Sequence, residues 1–111
     1  MIYSLTYTDS LPEGVGGQAK AWFIKIRPEY KDDKGILAHE LVHVHQFWTK
    51  GLLVHMLRYT WSKDYRLQCE IEAYKVQLTY NPENLDFFAF RITQMYNLGV
   101  TEEAVKLLLT K

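Results

Sequence analysis

The sequence contains a single cysteine, Cys69, so an internal disulfide is excluded, and such sparse use of cysteine is typical of a reducing compartment. A net charge is lacking too, because thirteen lysines and arginines balance thirteen aspartates and glutamates. A neutral chain has no electrostatic attraction to nucleic acid. No apolar run approaches the ~20 residues that cross a bilayer, and the first residues lack the basic and apolar regions of a signal peptide. These absences predict a cytoplasmic protein with neither a nucleic-acid partner nor a membrane partner.

The residues that are present are typical of one small globular domain. The chain is 111 residues long, below the length of ~150 residues that a domain commonly has, so we expect a single domain over residues 1–111. Apolar residues make up 48% and charged residues 23%, the proportions of an ordinary soluble protein. The aromatic fraction is high at 14%, and large rings help a short chain to fill its core.

The N-terminal part has the pattern of β-strands. Apolar and polar residues alternate over residues 2–8, which predicts a half-buried strand, and residues 9–17 hold the glycines and the proline of a loop. A second strand is predicted over residues 18–27 and is ended by Pro28. Because few residues separate the two strands, we expect them to pair as an antiparallel ribbon.

The rest of the sequence has a helical pattern, so the predicted fold class is α+β, a small N-terminal ribbon or sheet followed by helices. Asp33 is a suitable N-cap for a first helix that runs to about Lys50, and Gly51 is placed to end it. Further helices are predicted over about residues 52–59, over about 64–78, from Asn81-Pro82 to about 97, and in a short piece after Thr101.

The first predicted helix carries the sequence His39-Glu40-Leu41-Val42-His43. Because a helix turns about 100° per residue, the two histidines lie one turn apart on one side, where both imidazoles can bind one zinc ion. Glu40 could take the proton of a water on that ion, since zinc lowers the pKa of bound water towards ~7. These could also be ordinary surface residues. We favour the zinc site, because chance motifs of this kind are rare and this one borders an apolar stripe of Ile36, Leu37, Leu41, Val44, Phe47 and Trp48.

A catalytic zinc ion takes a third protein ligand and keeps a fourth position open. The third predicted helix offers Glu70 and Glu72, and helix geometry places them on different sides. Glu70 flanks the apolar stripe of this helix, whereas Glu72 projects away from it. We therefore expect Glu70 to be the third ligand, although a glutamate that stabilises the helix N-terminus is the alternative. The stripe comprises Leu67, Ile71, Tyr74 and Leu78.

Two other histidines are less well placed for this site. His45 lies about 200° around the helix from His43 and cannot share the ion with it, so we expect it at the flank or on the surface. His55 could face the cleft from the second helical piece, but a lone histidine at such a position is more often structural.

The stretch over residues 36–44 resembles the extended active-site pattern of the zincin metallopeptidases, in particular the gluzincins. Residues 70–74 resemble the glutamate-x-x-x-aspartate segment of that family, with Glu70 in the ligand place. The resemblance covers about residues 33–78. In its size and in its His-Glu-Leu-Val-His-Val-His-Gln run, the chain is also similar to short zincin-like proteins of bacteriophages and prophages.

Two residues depart from the family pattern. His45 stands where a hydrophobic residue is usual, and Tyr74 stands where an aspartate commonly orients a histidine ligand. A different group must then orient the histidine, and we expect Gln77 or a backbone carbonyl.

The resemblance implies hydrolysis of an amide bond in a peptide or protein, with one Zn²⁺ ion as cofactor and Glu40 as the general base. If the gene is phage-borne, cell-wall peptide is a plausible substrate and the phage particle a plausible location. By analogy, residues 18–26 would be an edge strand to which an extended substrate adds. A donor to the developing oxyanion is also needed, and the candidates are His55, Tyr65, Arg66 and Tyr74.

Two other functions stay open at this point. The first is a metal-binding structural or assembly protein, such as a phage virion or tail component, in which a protein ligand blocks the fourth metal position and turnover is low or absent. The second is a binding module with a degenerate zincin fold and no metal. The short chain also allows another subunit of a larger assembly to help form the site.

Overall fold

The computed structural model describes residues 1–96 and 99–111 and confirms the α+β fold class. A small sheet lies at the N-terminus, and helices follow it. Short 3₁₀ turns at Pro28–Tyr30 and Pro82–Asn84 precede two of the helices. The strands and helices are β1 Ser4–Tyr7, β2 Gly17–Lys20, β3 Phe23–Ile26, α1 Lys34–Lys50, α2 Leu52–Trp61, α3 Lys63–Tyr80, α4 Leu85–Tyr96 and α5 Glu102–Thr110.

The helix predictions agree with these bounds to within a few residues, except that the fourth helix begins with a 3₁₀ turn after Asn81. Its predicted end at residue 97 lies outside the described residues. Within the described ranges, no helix is both long enough and apolar enough to cross a membrane.

The pairing of the strands differs from the predicted antiparallel ribbon. The predicted second strand is two strands, β2 and β3, which form an antiparallel hairpin around Ala21 and Trp22. β1 pairs with β3 in parallel, and the sheet order is β1-β3-β2. The chain reverses where Ala21 adopts a φ of 53°, a left-handed conformation that glycine or asparagine usually supplies. Without such a residue, the sequence pattern predicted one continuous strand. As a result β2, and not β3, is an edge of the sheet.

α1 begins and ends as predicted. The Asp33 carboxylate accepts hydrogen bonds from the backbone N–H groups of Gly35 and Ile36, at 3.0 and 3.2 Å, and Gly51 ends the helix with a φ of 86°. Val44 packs with Ile24 and Ile26 of β3, so the sheet covers one side of α1.

Trp48 is not the core residue that the sequence predicted, because it is 46% exposed. It lies at the margin of the sheet, where its ring stacks on Trp22 with centroids 5.9 Å apart. Its indole N–H donates to the Ile2 carbonyl at 2.8 Å. One face of the ring therefore packs on the protein and the other is in contact with solvent.

α3 uses two different sides to pack against its neighbours. Of its predicted stripe residues, Tyr74 is buried in a core cluster that α4 and α5 complete, and Leu67, Ile71 and Leu78 are half-buried against that cluster. The side that faces α1 carries small and polar residues instead. The buried residues of α3 are Tyr65, Cys69, Glu70, Ala73, Tyr74 and Gln77. Glu70 is therefore directed towards the interface with α1.

Candidate metal centre

The structure brings together the three predicted ligands, His39, His43 and Glu70. His39 and His43 lie one turn apart on α1, and their Nε2 atoms are 3.2 Å apart. Glu70 reaches them from α3. Its Oε1 atom is 2.9 Å from His43 Nε2, and its Oε2 atom is 3.6 Å from His39 Nε2. Two packed helices thus aim two nitrogens and a carboxylate at one point.

These separations fit a zinc ion. Ligands that lie 2.0–2.1 Å from a tetrahedral ion are about 3.3 Å from one another. The two imidazole nitrogens are 3.2 Å apart, and they lie 2.9 and 3.6 Å from the two oxygens of Glu70, one nitrogen near each oxygen, so the separations lie around that value. Glu70 is only 2% exposed, yet its Oε2 atom has no hydrogen-bond partner among the described residues. A buried carboxylate oxygen normally has a partner, so this lone pair is available to a cation.

The ionisation of Glu70 and that of the histidines depend on one another. Burial alone would raise the pKa of Glu70, but the positive charge of His43 and the close contacts with both histidines hold that pKa well below its usual range. Burial alone would lower the pKa of His43, but the charge of Glu70 and its hydrogen bond raise it to about 9. Without a bound metal, His43 is therefore expected to carry a proton at neutral pH.

Zinc binding at pH 7 is therefore expected to release about one proton per ion, because an imidazole must be neutral to bind a metal. The raised pKa of His43 means that the proton is bound below about pH 9 and lost above it. Apparent zinc affinity should accordingly increase from pH 6 to about pH 9 and then level off. Calorimetric titration in buffers of different ionisation enthalpy measures the release, and an affinity that is independent of pH would contradict it.

Glu40 lies beside the centre and is not part of the three-residue group. It is buried, and burial raises the pKa of its carboxyl group. Its side chain lies under the edge strand: a Cβ atom at Gly17 would be 3.3 Å from Glu40 Oε2 and 3.0 Å from Ile36 Cγ2. The glycine lets β2 approach α1 closely, and a carboxyl group with a raised pKa is suited to accept a proton near neutral pH.

Gln46 orients His43, a role that the sequence assigned to Gln77 or to a backbone carbonyl. Gln46 Oε1 is 3.0 Å from His43 Nδ1, and Gln46 Nε2 donates to the Cys69 carbonyl at 3.1 Å. The second bond fixes the amide, so its oxygen accepts from Nδ1–H and leaves Nε2 to act as the ligand atom. Gln46 could have been found by its position three residues after His43, on the same side of the helix.

His39 has no comparable partner. Its Nδ1 atom is buried without a hydrogen bond among the described residues. Tyr74, which stands where the family has an aspartate, packs its ring edge-on against the imidazole with centroids 4.4 Å apart. His39 is therefore held by packing, whereas His43 is held by a hydrogen bond.

Tyr59 is a further residue of the centre that the sequence did not indicate. Its hydroxyl donates to Glu70 Oε1 at 3.0 Å. Tyr59 lies one turn after His55 on α2, so both side chains face the centre. The recurrence of two polar rings at this helical spacing was the signal that could have found it.

The centre opens into a cavity of about 940 Å³ between β2, α1, α2, α3 and α4. Of the four candidate donors, His55 and Tyr74 line this cavity. Tyr65 supports His55 from behind, because its hydroxyl is 2.8 Å from His55 Nδ1. Arg66 donates to the backbone carbonyls of Tyr59 and Thr60 and so ties down the end of α2. His45 is exposed, as the sequence predicted.

Comparison of the chain with models of protein families, with curated proteins and with solved structures found no match.

Proposed function

We propose that this protein is a zinc-dependent metallopeptidase that hydrolyses an amide bond. The observation that carries the proposal is the convergence of His39, His43 and Glu70 at tetrahedral spacing, with Glu40 beside them at the wall of an open cavity. A structural zinc site commonly has four protein ligands, whereas a catalytic one has three. In the described residues the group contains three ligand residues, which supports the catalytic alternative.

Bound zinc would polarise the substrate carbonyl and lower the pKa of water. Glu40 would accept the proton of the attacking water and deliver it to the leaving amine, which its buried position and raised pKa favour. His55 is suited to stabilise the oxyanion. Burial and the charge of His43 lower its pKa, which favours the neutral imidazole. When the Tyr65 hydroxyl donates to Nδ1, the hydrogen of His55 is on Nε2. Tyr74 is the alternative donor, since its ring also lines the cavity.

The edge strand β2 supports the choice of an extended peptide as substrate. Residues Gly17–Lys20 line the cavity, and β2 is bonded to β3 along only one side. An extended peptide can therefore add to the free side of β2 by backbone hydrogen bonds, with its scissile bond over α1. The predicted docking segment 18–26 was too long, because its second half is the central strand β3.

The assembly role is favoured by one separate observation. Leu53, Leu57 and Trp61 lie one turn apart on α2, directed away from the centre, and all three are exposed. Such an apolar stripe on a small protein is typical of a contact surface. A virion or tail component with a metal for stability would use this surface and would need no turnover.

Cleavage of a mixed peptide pool tests the proposal. We expect the zinc-loaded protein to release new peptide termini, detected by mass spectrometry. Treatment with a chelator should abolish the release, and one equivalent of zinc should restore it. A zinc-loaded, folded protein that cleaves neither this pool nor bacterial cell-wall peptide would instead support the assembly role.

A further inference from the structure

Arg91 is a cation in the wall of the cavity that has no carboxylate partner. None of the ion pairs among the described residues involves it. Its Nη1 atom donates to the Gly14 carbonyl at 3.1 Å, and its guanidinium group lies 5.7 Å from the ring centroid of Phe87. Burial raises the pKa of Tyr74 to about 12, and the nearby guanidinium group of Arg91 acts against this rise. All these contacts are to neutral groups.

Arg27 shows how the same protein satisfies an arginine that has only a structural role. The Arg27 side chain donates to the carbonyls of Asp9, Leu11, Pro12 and Val15, and it also pairs with the Asp9 carboxylate. A guanidinium group has five N–H donors in a fork that matches a carboxylate. Arg91 has fewer contacts with the described residues, so part of its fork is available to a ligand in the cavity.

The position of Arg91 relative to the metal centre sets the length of that ligand. Tyr74 lies between the two, because its ring contacts His39 and Arg91 lines the same cavity close enough to influence the pKa of Tyr74. Only the side chain of Tyr74 therefore separates Arg91 from His39. An extended peptide advances about 3.5 Å per residue, so a carboxylate on Arg91 belongs to a residue about one or two positions beyond the scissile bond.

We propose that Arg91 binds the C-terminal carboxylate of the substrate, so that the protein acts close to the free C-terminus of a peptide and not in its interior. The inference rests on the proposed peptidase function. It adds the class of substrate: a peptide with a free terminal carboxylate one or two residues after the bond that is cut. Arg91 acts here as a specificity-determining residue, since it takes no part in proton transfer.

Binding of a matched pair of peptides tests the proposal. The probes are N-acetyl-tri-alanine with a free C-terminal carboxylate and the same peptide as its C-terminal amide. They are titrated by NMR into zinc-loaded protein that carries Glu40→Gln, so that bound peptide is not consumed. We expect the acid to bind about ten- to a hundredfold more tightly than the amide, the usual effect of a charge-assisted bidentate pair.

Arg91→Gln should reduce this ratio to about one, and Arg91→Lys should retain part of it. Arg58→Gln is the matched control, because Arg58 also lies over an aromatic ring, 4.7 Å from the centroid of Tyr65, but it does not line the cavity. The proposal is overturned if acid and amide bind equally to the parent, if neither binds, or if Arg91→Gln keeps the preference, as it would if the carboxylate bound the metal instead.

Failure of the peptidase proposal gives a different result. Suppose that the preference for the acid depends on Arg91 but the parent protein, which has Glu40, does not cleave the peptide. This result would contradict the proposed hydrolysis and leave the role of Arg91 in place. Cleavage of the acid and the amide at equal rates would contradict the role of Arg91 and leave the proposed hydrolysis in place.

Discussion

Glu40→Gln is expected to reduce kcat for peptide hydrolysis by about 10²–10⁴-fold, the usual contribution of a positioned general base, and to leave zinc bound. Glutamine has the shape of glutamate and can occupy the space under Gly17, but its amide cannot accept a proton from water. Glu40 lies outside the group of His39, His43 and Glu70, so metal affinity should change little. The measurement is kcat with zinc content determined on the same sample.

Glu72→Gln is the matched control for this substitution. Glu72 is exposed on the opposite side of α3 from Glu70, so its neutralisation should alter neither kcat nor zinc content. Activity at the parental level in Glu40→Gln would show that another group accepts the proton, or that the measured cleavage comes from a contaminating enzyme. Loss of zinc together with activity would show that Glu40 helps to hold the metal.

The relative placement of the two α1 histidines could be predicted because it depends on helix geometry alone. A spacing of four residues fixes His39 and His43 on one side of any α-helix. Glu70 followed from its position beside the apolar stripe of α3. The stripe itself faces α4 and α5, however, and it is the small residues on the side of Glu70 that let α3 approach α1.

The sheet could not be predicted to the same degree, because its topology depends on one residue in an unusual conformation. Ala21 turns the chain with a positive φ, and alanine gives no indication of this in a sequence. The turn is held by its neighbour: the ring of Trp22 packs between Phe47 and Trp48 of α1, and its carbonyl accepts from the backbone N–H of Ser4. Tertiary packing thus overrides the local preference.

The supporting residues of the centre also depend on tertiary packing. The side chain of Gln46 is held in place by the backbone of α3, since its amide donates to the Cys69 carbonyl. The Tyr59 hydroxyl reaches Glu70 because α2 packs against α3. Contacts between different elements have no local periodicity in the sequence to indicate them. For this reason the clustering of His39, His43 and Glu70 could be predicted, whereas the group that orients a histidine was expected to be Gln77 or a backbone carbonyl and is Gln46 at His43.

Glu70→Ala is expected to weaken zinc binding by at least about 100-fold. Loss of an outer-shell partner alone costs 10–100-fold in metal affinity, and Glu70 supplies a ligand oxygen directly in the proposed site. The substitution also removes the buried negative charge that keeps His43 protonated in the metal-free protein. Zinc retained after dialysis, together with competition against a chromophoric chelator, measures the change.

Breaking a buried charge pair can itself destabilise a protein by about 3–5 kcal/mol, so Glu70→Gln is the necessary companion variant. Its amide keeps the volume of the side chain and can still accept a hydrogen bond from Tyr59, and a folded Glu70→Gln protein with weakened zinc binding separates loss of a ligand from loss of the fold. Parental zinc affinity in both variants would mean that Glu70 does not bind the metal. The contact between α3 and α1 at Glu70 would then serve the stability of the fold and not metal binding. The peptidase proposal would lose the observation on which it rests.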